Sequence, residues 1–204
     1  MKIYVTRHGQ SMTNIDADMT SKFGVTVRNN VLTLDGIHQA IALGEQLKDK
    51  EIEEIICSPF ARTKQTAYTI ASVLANCVPM HYDERFQEIE WDVGGDFDRL
   101  ENYIPGFDSK NLPIDHRPLI DHKRGAITLE SQLDVYNRVV PAFLDTIEKY
   151  RGRNILIVTH FFVVRALEAY MHHGSPERML DYSPKNTRII EYQIDDVEKR
   201  ATAA

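Results

Sequence analysis

Apolar residues follow two spacings along this chain. Residues 2–6 (KIYVT), 52–57 (IEEIIC), 154–159 (NILIVT) and 187–194 (TRIIEYQI) are short runs rich in β-branched and aromatic residues. Such runs predict strands, and Val78–Tyr82 is a weaker fifth candidate. NILIVT is apolar almost throughout, as a strand covered on both faces of a parallel sheet should be. Between these runs the spacing lengthens to that of a helix. After Thr33, a residue suited to cap a helix, Ile37, Ala40, Ile41, Gly44 and Leu47 recur on one side. Ala67, Ile70, Ala71 and Leu74 predict a helix over 63–74. Leu133, Tyr136, Val140, Phe143, Leu144 and Ile147 predict one within 129–149, and a fourth follows over 162–171. Ser175-Pro176-Glu177 reads as a cap with proline at the first helical position. Strands alternating with helices predict an α/β fold, with a mostly parallel sheet and helices on both faces.

Two stretches break this pattern. Residues 9–32 have weak periodicity and predict a long loop with at most a helical turn. Residues 84–127 hold several Gly and Pro residues and the mixed-charge run HRPLIDHKR. They predict a folded excursion over one end of the sheet, most irregular at about 92–127, with a solvated surface insertion as the plainer alternative. The last ten residues predict a frayed polar tail. A chain of 204 residues suits one domain over 1–204. At that length about 70% of the unfolded surface is buried on folding, enough for a core without disulfides or a structural metal.

Charge and cysteine content narrow the function. Acidic residues number 30 and basic residues 24, a formal charge of −6. That argues against a general binder of nucleic acid or anionic membrane, while leaving room for a small positive pocket. Cys57 and Cys77 are too few for a disulfide framework or a zinc knuckle and read as reduced thiols, which fits a cytoplasmic protein. Arg7 and His8 interrupt the N-terminal apolar run before a signal-peptide core can form. The most apolar stretch, Ile155 to Leu167, contains Thr159, His160 and Arg165 and is too short to span a bilayer.

The candidate chemistry lies in a local echo. KIYVTRHG and NILIVTHF are both apolar strands ending in Val-Thr, with a histidine within two residues. Ligands of open α/β sheets bind beyond the carboxyl ends of the strands. If the two strands are neighbours, His8 and His160 face each other there. Arg7 precedes His8, and Arg62 falls at the start of the helix after the second strand, at the same end of a parallel sheet. Two guanidinium forks converging with two imidazoles describe an oxyanion site, most naturally for phosphate. Gln10, Ser11 and Asn14 extend it or simply cap their own turn. The chain contains no GxxxxGK[ST] and no HExxH, so its motifs point neither to a P-loop nor to a zinc protease.

The sequence resembles the histidine phosphatase superfamily, also called the phosphoglycerate mutase-like superfamily. RHGQSMTN at 7–14 looks like its signature, and LTLDGIHQA at 32–40 and CSPFARTKQTA at 57–67 match further blocks. FQEIEW at 86–91, LESQLDVYNRV at 129–139, IVTH at 157–160 and NTRIIEY at 186–192 follow in the family's order. The resemblance implies a three-layer α/β/α sandwich and a metal-independent phosphomonoesterase, needing no cofactor and acting on a small phosphorylated metabolite. It implies His8 as the nucleophile, with Arg7, Arg62 and His160 on the phosphate oxygens. It implies Glu88 as general acid, and Gln10, Ser11 and Asn14 along the phosphate side. By residue pattern alone Glu90 and Asp92 rival Glu88. Two departures stand out: Phe161 and Phe162 follow His160 where the family usually has glycine, and Trp91 is displaced. His116, Arg117, His122, Lys123 and Arg124 offer charge for a second anionic group on the substrate, or a solvated surface. A cofactor-dependent mutase and a catalytically weak phospholigand- or protein-binding member are the alternative readings. Mutases typically carry a tryptophan before the asparagine, where this chain reads SMTN.

Overall fold

A computed structural model describes residues 1–15, 28–74, 76–89, 111–117, 119–122, 125–193 and 195. The main sheet contains β1 (Lys2–Arg7), β2 (Glu54–Cys57), β3 (Met80–Tyr82), β6 (Ile155–Thr159) and β7 (Ile189–Gln193). Its order is β3-β2-β6-β1-β7, with every neighbouring pair parallel except β1 and β7. β4 (Leu119–His122) and β5 (Gly125–Thr128) form a separate antiparallel pair. The helices are α1 (Met12–Ile15), α2 (Leu34–Leu47), α3 (Ala61–Val73), α4 (Gln132–Lys149) and α5 (Phe161–His173).

Strand alternation sorts the core into two halves. Ile3, Val5, Ile56, Ile155 and Ile157 pack with residues of α4 and α5, among them Val139, Phe143, Val163 and Leu167. Tyr4, Ile55, Leu156 and Val158 join Leu43 and Leu47 of α2 and Ala67 and Ile70 of α3. The sheet is therefore covered on both faces, giving the three layers, and the nearly unbroken apolar run of β6 is accounted for.

Local signals account for three of the helix boundaries. Thr33 Oγ1 accepts a hydrogen bond from Gly36 N at 3.0 Å and caps α2. Ala40, Gly44 and Leu47 face the core, whereas Ile41 turns to solvent, off the buried stripe. Ser131 and Asp134 form a reciprocal capping box at the start of α4. α5 ends on Gly174 in the left-handed conformation, φ 66°.

Other boundaries differ from the sequence expectation. α3 begins at Ala61, so Arg62 lies in its first turn. Pro176–Asp181 is a 3-10 turn, not an α-helix, and the Ser175 hydroxyl bonds the Glu177 carboxylate instead of a backbone amide. β4 and β5 lie in the stretch read as irregular; LIDH and GAIT are four residues each, and the Lys-Arg between them carries no turn signature. Glu90, Trp91, Asp92, Lys123 and Arg124 lie outside the described residues, as do 16–27 of the long loop, 93–110 of the excursion and 196–204 of the tail. Among the described residues no helix is long and apolar enough to cross a membrane.

Candidate active site

β1 and β6 are neighbours with Arg7 opposite Thr159, and the residue after this register on each strand is a histidine. His8 N donates to Thr159 O at 2.9 Å, carrying the pairing one step past the strand. His8 and His160 therefore emerge side by side at the carboxyl edge. Their ring centroids are 5.3 Å apart at an interplanar angle of 65°, and the residues are 2% and 0% exposed. β2 flanks β6 on its other side, which brings Ser58 to the same edge with its Oγ 2.7 Å from His160 Nε2. The first turn of α3 returns Arg62, whose Nε donates to His8 Nε2 at 3.0 Å.

These contacts settle the tautomer of His8. Its Nδ1 lies 2.7 Å from Gly9 O, and a carbonyl can only accept, so Nδ1 carries the hydrogen. Nε2 then presents its lone pair, which Arg62 holds. Burial, followed by the charges of Arg62 and Arg7, keeps the His8 pKa well below the ordinary histidine value, against a smaller opposing effect of the Gly9 carbonyl. Burial and then Arg62 do the same to His160. Both rings are thus neutral near pH 7. Burial lowers Arg62 to about 10 and lowers Arg7 too, and the Glu88 charge partly offsets both, so both guanidiniums remain charged.

Arg7 donates through Nη1 to Pro184 O at 3.1 Å and stacks its guanidinium on the Phe161 ring, 5.1 Å from the centroid. Arg7 Nε and His160 Nδ1 are buried without a hydrogen-bond partner among the described residues. Orphaned buried groups of this kind are costly unless a ligand completes them.

Glu88 enters from the segment after β3 and reaches the start of α5. Its Oε2 accepts from Phe161 N at 3.0 Å and its Oε1 from Phe162 N at 3.1 Å. These are amides that open the helix directly after His160, which itself offers no side-chain cap. Phe161 and Phe162 meet edge to face, and both belong to the core shared with α4 and α5. Arg165 lies 4.6 Å from the Phe161 centroid, so that ring contacts two guanidiniums.

The loop residues make a different pattern. Gln10 Oε1 accepts from Thr33 Oγ1 at 2.9 Å, and Gln10 N donates to Gln39 Oε1 at 2.8 Å. Ser11 donates from N and Oγ to Asn14 Oδ1 at 3.0 and 3.1 Å, while Asn30 Nδ2 bonds Ser11 Oγ. The three residues order the loop after His8. Arg117 pairs with Asp134 on α4, and His116 is exposed.

Several contributors escaped the sequence reading. Ser58 partners His160, and the Phe60 ring sits 5.1 Å from His160 and 5.2 Å from the Arg62 guanidinium carbon. Thr66 Oγ1 accepts from Gly9 N at 3.0 Å, and Asn186 Nδ2 donates to His8 O at 2.8 Å. Ser58, Phe60 and Thr66 lie inside the block CSPFARTKQTA, whereas Asn186 has no local signal tying it to His8.

Residues 3–203 match the family described as the histidine phosphatase superfamily, branch 1. The chain belongs to the histidine phosphatase superfamily. It is 27% identical over 164 residues to the probable phosphoglycerate mutase GpmB of Salmonella paratyphi A, covering 78% of this chain and 69% of that one. It is 22% identical over 196 residues to the uncharacterized phosphatase PhoE of Bacillus subtilis, covering 96% and 87%. Among solved structures, Bacillus stearothermophilus YhfR superposes with a TM-score of 0.77 at 26% identity, covering 95% of this chain and 91% of that one. Several other solved structures sharing the fold are phosphatases by name; at 18 to 22% identity they speak to the fold alone. Among the described residues, no group of three or more His, Cys, Asp or Glu is placed to hold a metal ion.

Proposed function

We propose that this superfamily member is a phosphomonoesterase, acting as a single domain in the cytoplasm, that hydrolyses small phosphorylated metabolites through a phosphohistidine on His8. The observation that carries this reading is His8 itself, a buried neutral imidazole whose Nδ1 is tied to Gly9 O, leaving the Nε2 lone pair for attack. Arg62 Nε donates to that lone pair. An incoming phosphoryl group draws the guanidinium onto its own oxygens and so frees Nε2. Arg7 Nε and His160 Nδ1, both buried and unpartnered among the described residues, supply further donors for the equatorial oxygens. The Nε2–P bond forms as the ester P–O bond breaks, and the leaving oxygen takes the proton that Glu88 must carry in the substrate complex to act as the acid. Water then attacks phosphorus and returns a proton to Glu88, the P–N bond breaks, and phosphate departs. Arg7, Arg62 and His160 provide the compensating charge and donors, so the scheme requires no divalent ion. Gln10, Ser11 and Asn14 shape the phosphate side through the loop they order.

A phosphoglycerate mutase reading draws support from the GpmB likeness. A mutase must keep water from its phosphohistidine until a second alcohol arrives. The SMTN sequence after Gln10, without the mutase tryptophan, favours hydrolysis. Rapid quench with a labelled phosphomonoester is expected to trap an acid-labile, base-stable phosphoenzyme that His8→Ala abolishes together with turnover. Label on serine or aspartate, or full activity in the variant, overturns the assignment. Supplying 3-phosphoglycerate with a trace of 2,3-bisphosphoglycerate separates the two readings, because a mutase isomerises far faster than it releases phosphate.

A further inference from the structure

Glu88 follows a 3-10 turn over Glu84–Phe86 and stands on backbone that belongs to no strand or helix. Such a segment holds a side chain in register only if its polar groups are secured by neighbours. The three carbonyls ahead of Glu88 are all secured, and by side chains. Thr159 Oγ1, at the end of β6, donates to Phe86 O at 2.8 Å. Arg138 Nη1 donates to Arg85 O at 2.7 Å and to Gln87 O at 3.1 Å. The rest of the Arg138 fork is fixed by a bidentate pair, Nε to Glu130 Oε1 at 2.8 Å and Nη2 to Glu130 Oε2 at 2.9 Å.

Both members of the pair ride on rigid structure. Glu130 directly precedes Ser131, the cap of α4, and Arg138 lies within that helix. This ion pair, with side chains 25% and 18% exposed, contributes little net stability by itself, because desolvation offsets much of its attraction. Its geometric effect is larger, because the carboxylate fixes the plane of the guanidinium and the remaining corner grips two carbonyls next to Glu88. Beyond Glu88, the amides of Phe161 and Phe162 receive the carboxylate. Glu88 therefore bridges a clamp on α4 and the first amides of α5.

We propose that Arg138, oriented by Glu130, is a positioning residue for Glu88 and holds the backbone from which this carboxylate reaches the reacting phosphate. The proposal rests on the acid–base reading of Glu88. Lysine cannot replace the arginine, since a single ammonium cannot chelate a carboxylate and span two carbonyls in one plane.

The test compares kcat/KM for glycerol phosphate, a poor leaving group, and p-nitrophenyl phosphate, a good one. The proteins are the parent, Arg138→Lys, Glu130→Gln, Glu88→Gln and the double variant Arg138→Lys/Glu88→Gln, each with its thermal midpoint. Arg138→Lys is expected to lower kcat/KM for glycerol phosphate by on the order of 10- to 100-fold, as for a group displaced by about 1 Å, with a much smaller loss on the aryl ester. Glu130→Gln should shift both in the same direction by less, and it carries the test if Arg138→Lys does not fold. In the Glu88→Gln background Arg138→Lys should add nothing, because no acid remains to be positioned. Penalties that multiply in the double variant overturn the clamp. If Glu88→Gln alone loses both esters equally, the acid assignment fails, while the coupling between Arg138 and Glu88 still decides the clamp.

Discussion

Gly36→Ala tests how tightly the loop after His8 is built against α2. A Cβ at Gly36 would lie 2.0 Å from Gln10 O, and one at Gly9 would lie 2.4 Å from Gly36 O. Loop and helix thus touch backbone to backbone. Ordinary contact begins near 3.4 Å, so 3.4 − 2.0 leaves 1.4 Å of overlap to relieve at Gly36. No flexible side chain can absorb it. Relief also strains the hydrogen bond from Thr33 N to Gln10 O, 3.0 Å, and that from Gln10 N to Gln39 Oε1, 2.8 Å. Overpacking of this kind costs about 1–3 kcal/mol, while alanine's better helix propensity returns at most about 1 kcal/mol. Because the clash is with backbone, the upper part of the overpacking range, about 2–3 kcal/mol, applies, and the net loss of about 1–2 kcal/mol corresponds to a fall in Tm of roughly 2–8 °C for a chain of this size. The loop also carries Gly9 O, the acceptor that sets the His8 tautomer. A displacement of about 1 Å there costs up to about 100-fold in rate. Differential scanning calorimetry and kcat/KM on p-nitrophenyl phosphate measure both effects. Gly152→Ala is the control, since that glycine has φ 87° but nothing within 4 Å of an added Cβ, so it should lose some stability and no activity. An unchanged Tm with full turnover in Gly36→Ala would refute the backbone contact and its link to His8.

Three further expectations follow from the site. Because folding depresses the pKa of His8 and His160, the unfolded chain takes up protons below about pH 6.5 that the folded protein does not. Their contribution to stability is complete above that pH and declines as pH falls, by up to about 1.4 kcal/mol per pH unit for each histidine; urea unfolding at pH 7.5 and 5.5 should show a flatter decline in His160→Gln, and an equal decline refutes the neutral buried ring. Phe161→Ala removes a buried ring, costing about 3–5 kcal/mol, and takes away the face on which Arg7 rests, so inhibition by inorganic phosphate should weaken several-fold. Unchanged phosphate inhibition would mean that the bond to Pro184 O alone positions Arg7. Turnover should survive exhaustive chelation, and a strict, reversible need for magnesium or zinc would contradict a site whose charge comes from Arg7 and Arg62.

The fold class, the strand ends bearing Arg7-His8 and His160, and the cap at Thr33 were legible in the chain itself. Hydrophobic spacing follows the geometry of a strand or a helix, and capping chemistry acts within a few residues, so both leave a local mark. The two phenylalanines after His160 stood out as a departure, but their fate did not. A local pattern cannot tell whether a ring plugs a crevice or joins a core, and here both rings pack into the core of α4 and α5. The β4–β5 pair stayed hidden because its strands are too short to show a period and its connection lacks turn residues. What the tertiary structure alone decided is adjacency. Ile3 pairs with Ile155 across 152 positions, His160 meets Ser58 across 102, and Glu88 reaches Phe161 across 73. Arg138 grips the carbonyls of Arg85 and Gln87 across 53 and 51. None of these partners constrains its neighbours along the chain. They meet because the strands are arranged in the order β3-β2-β6-β1-β7, and its parallel members carry the side chains at their carboxyl ends to one edge.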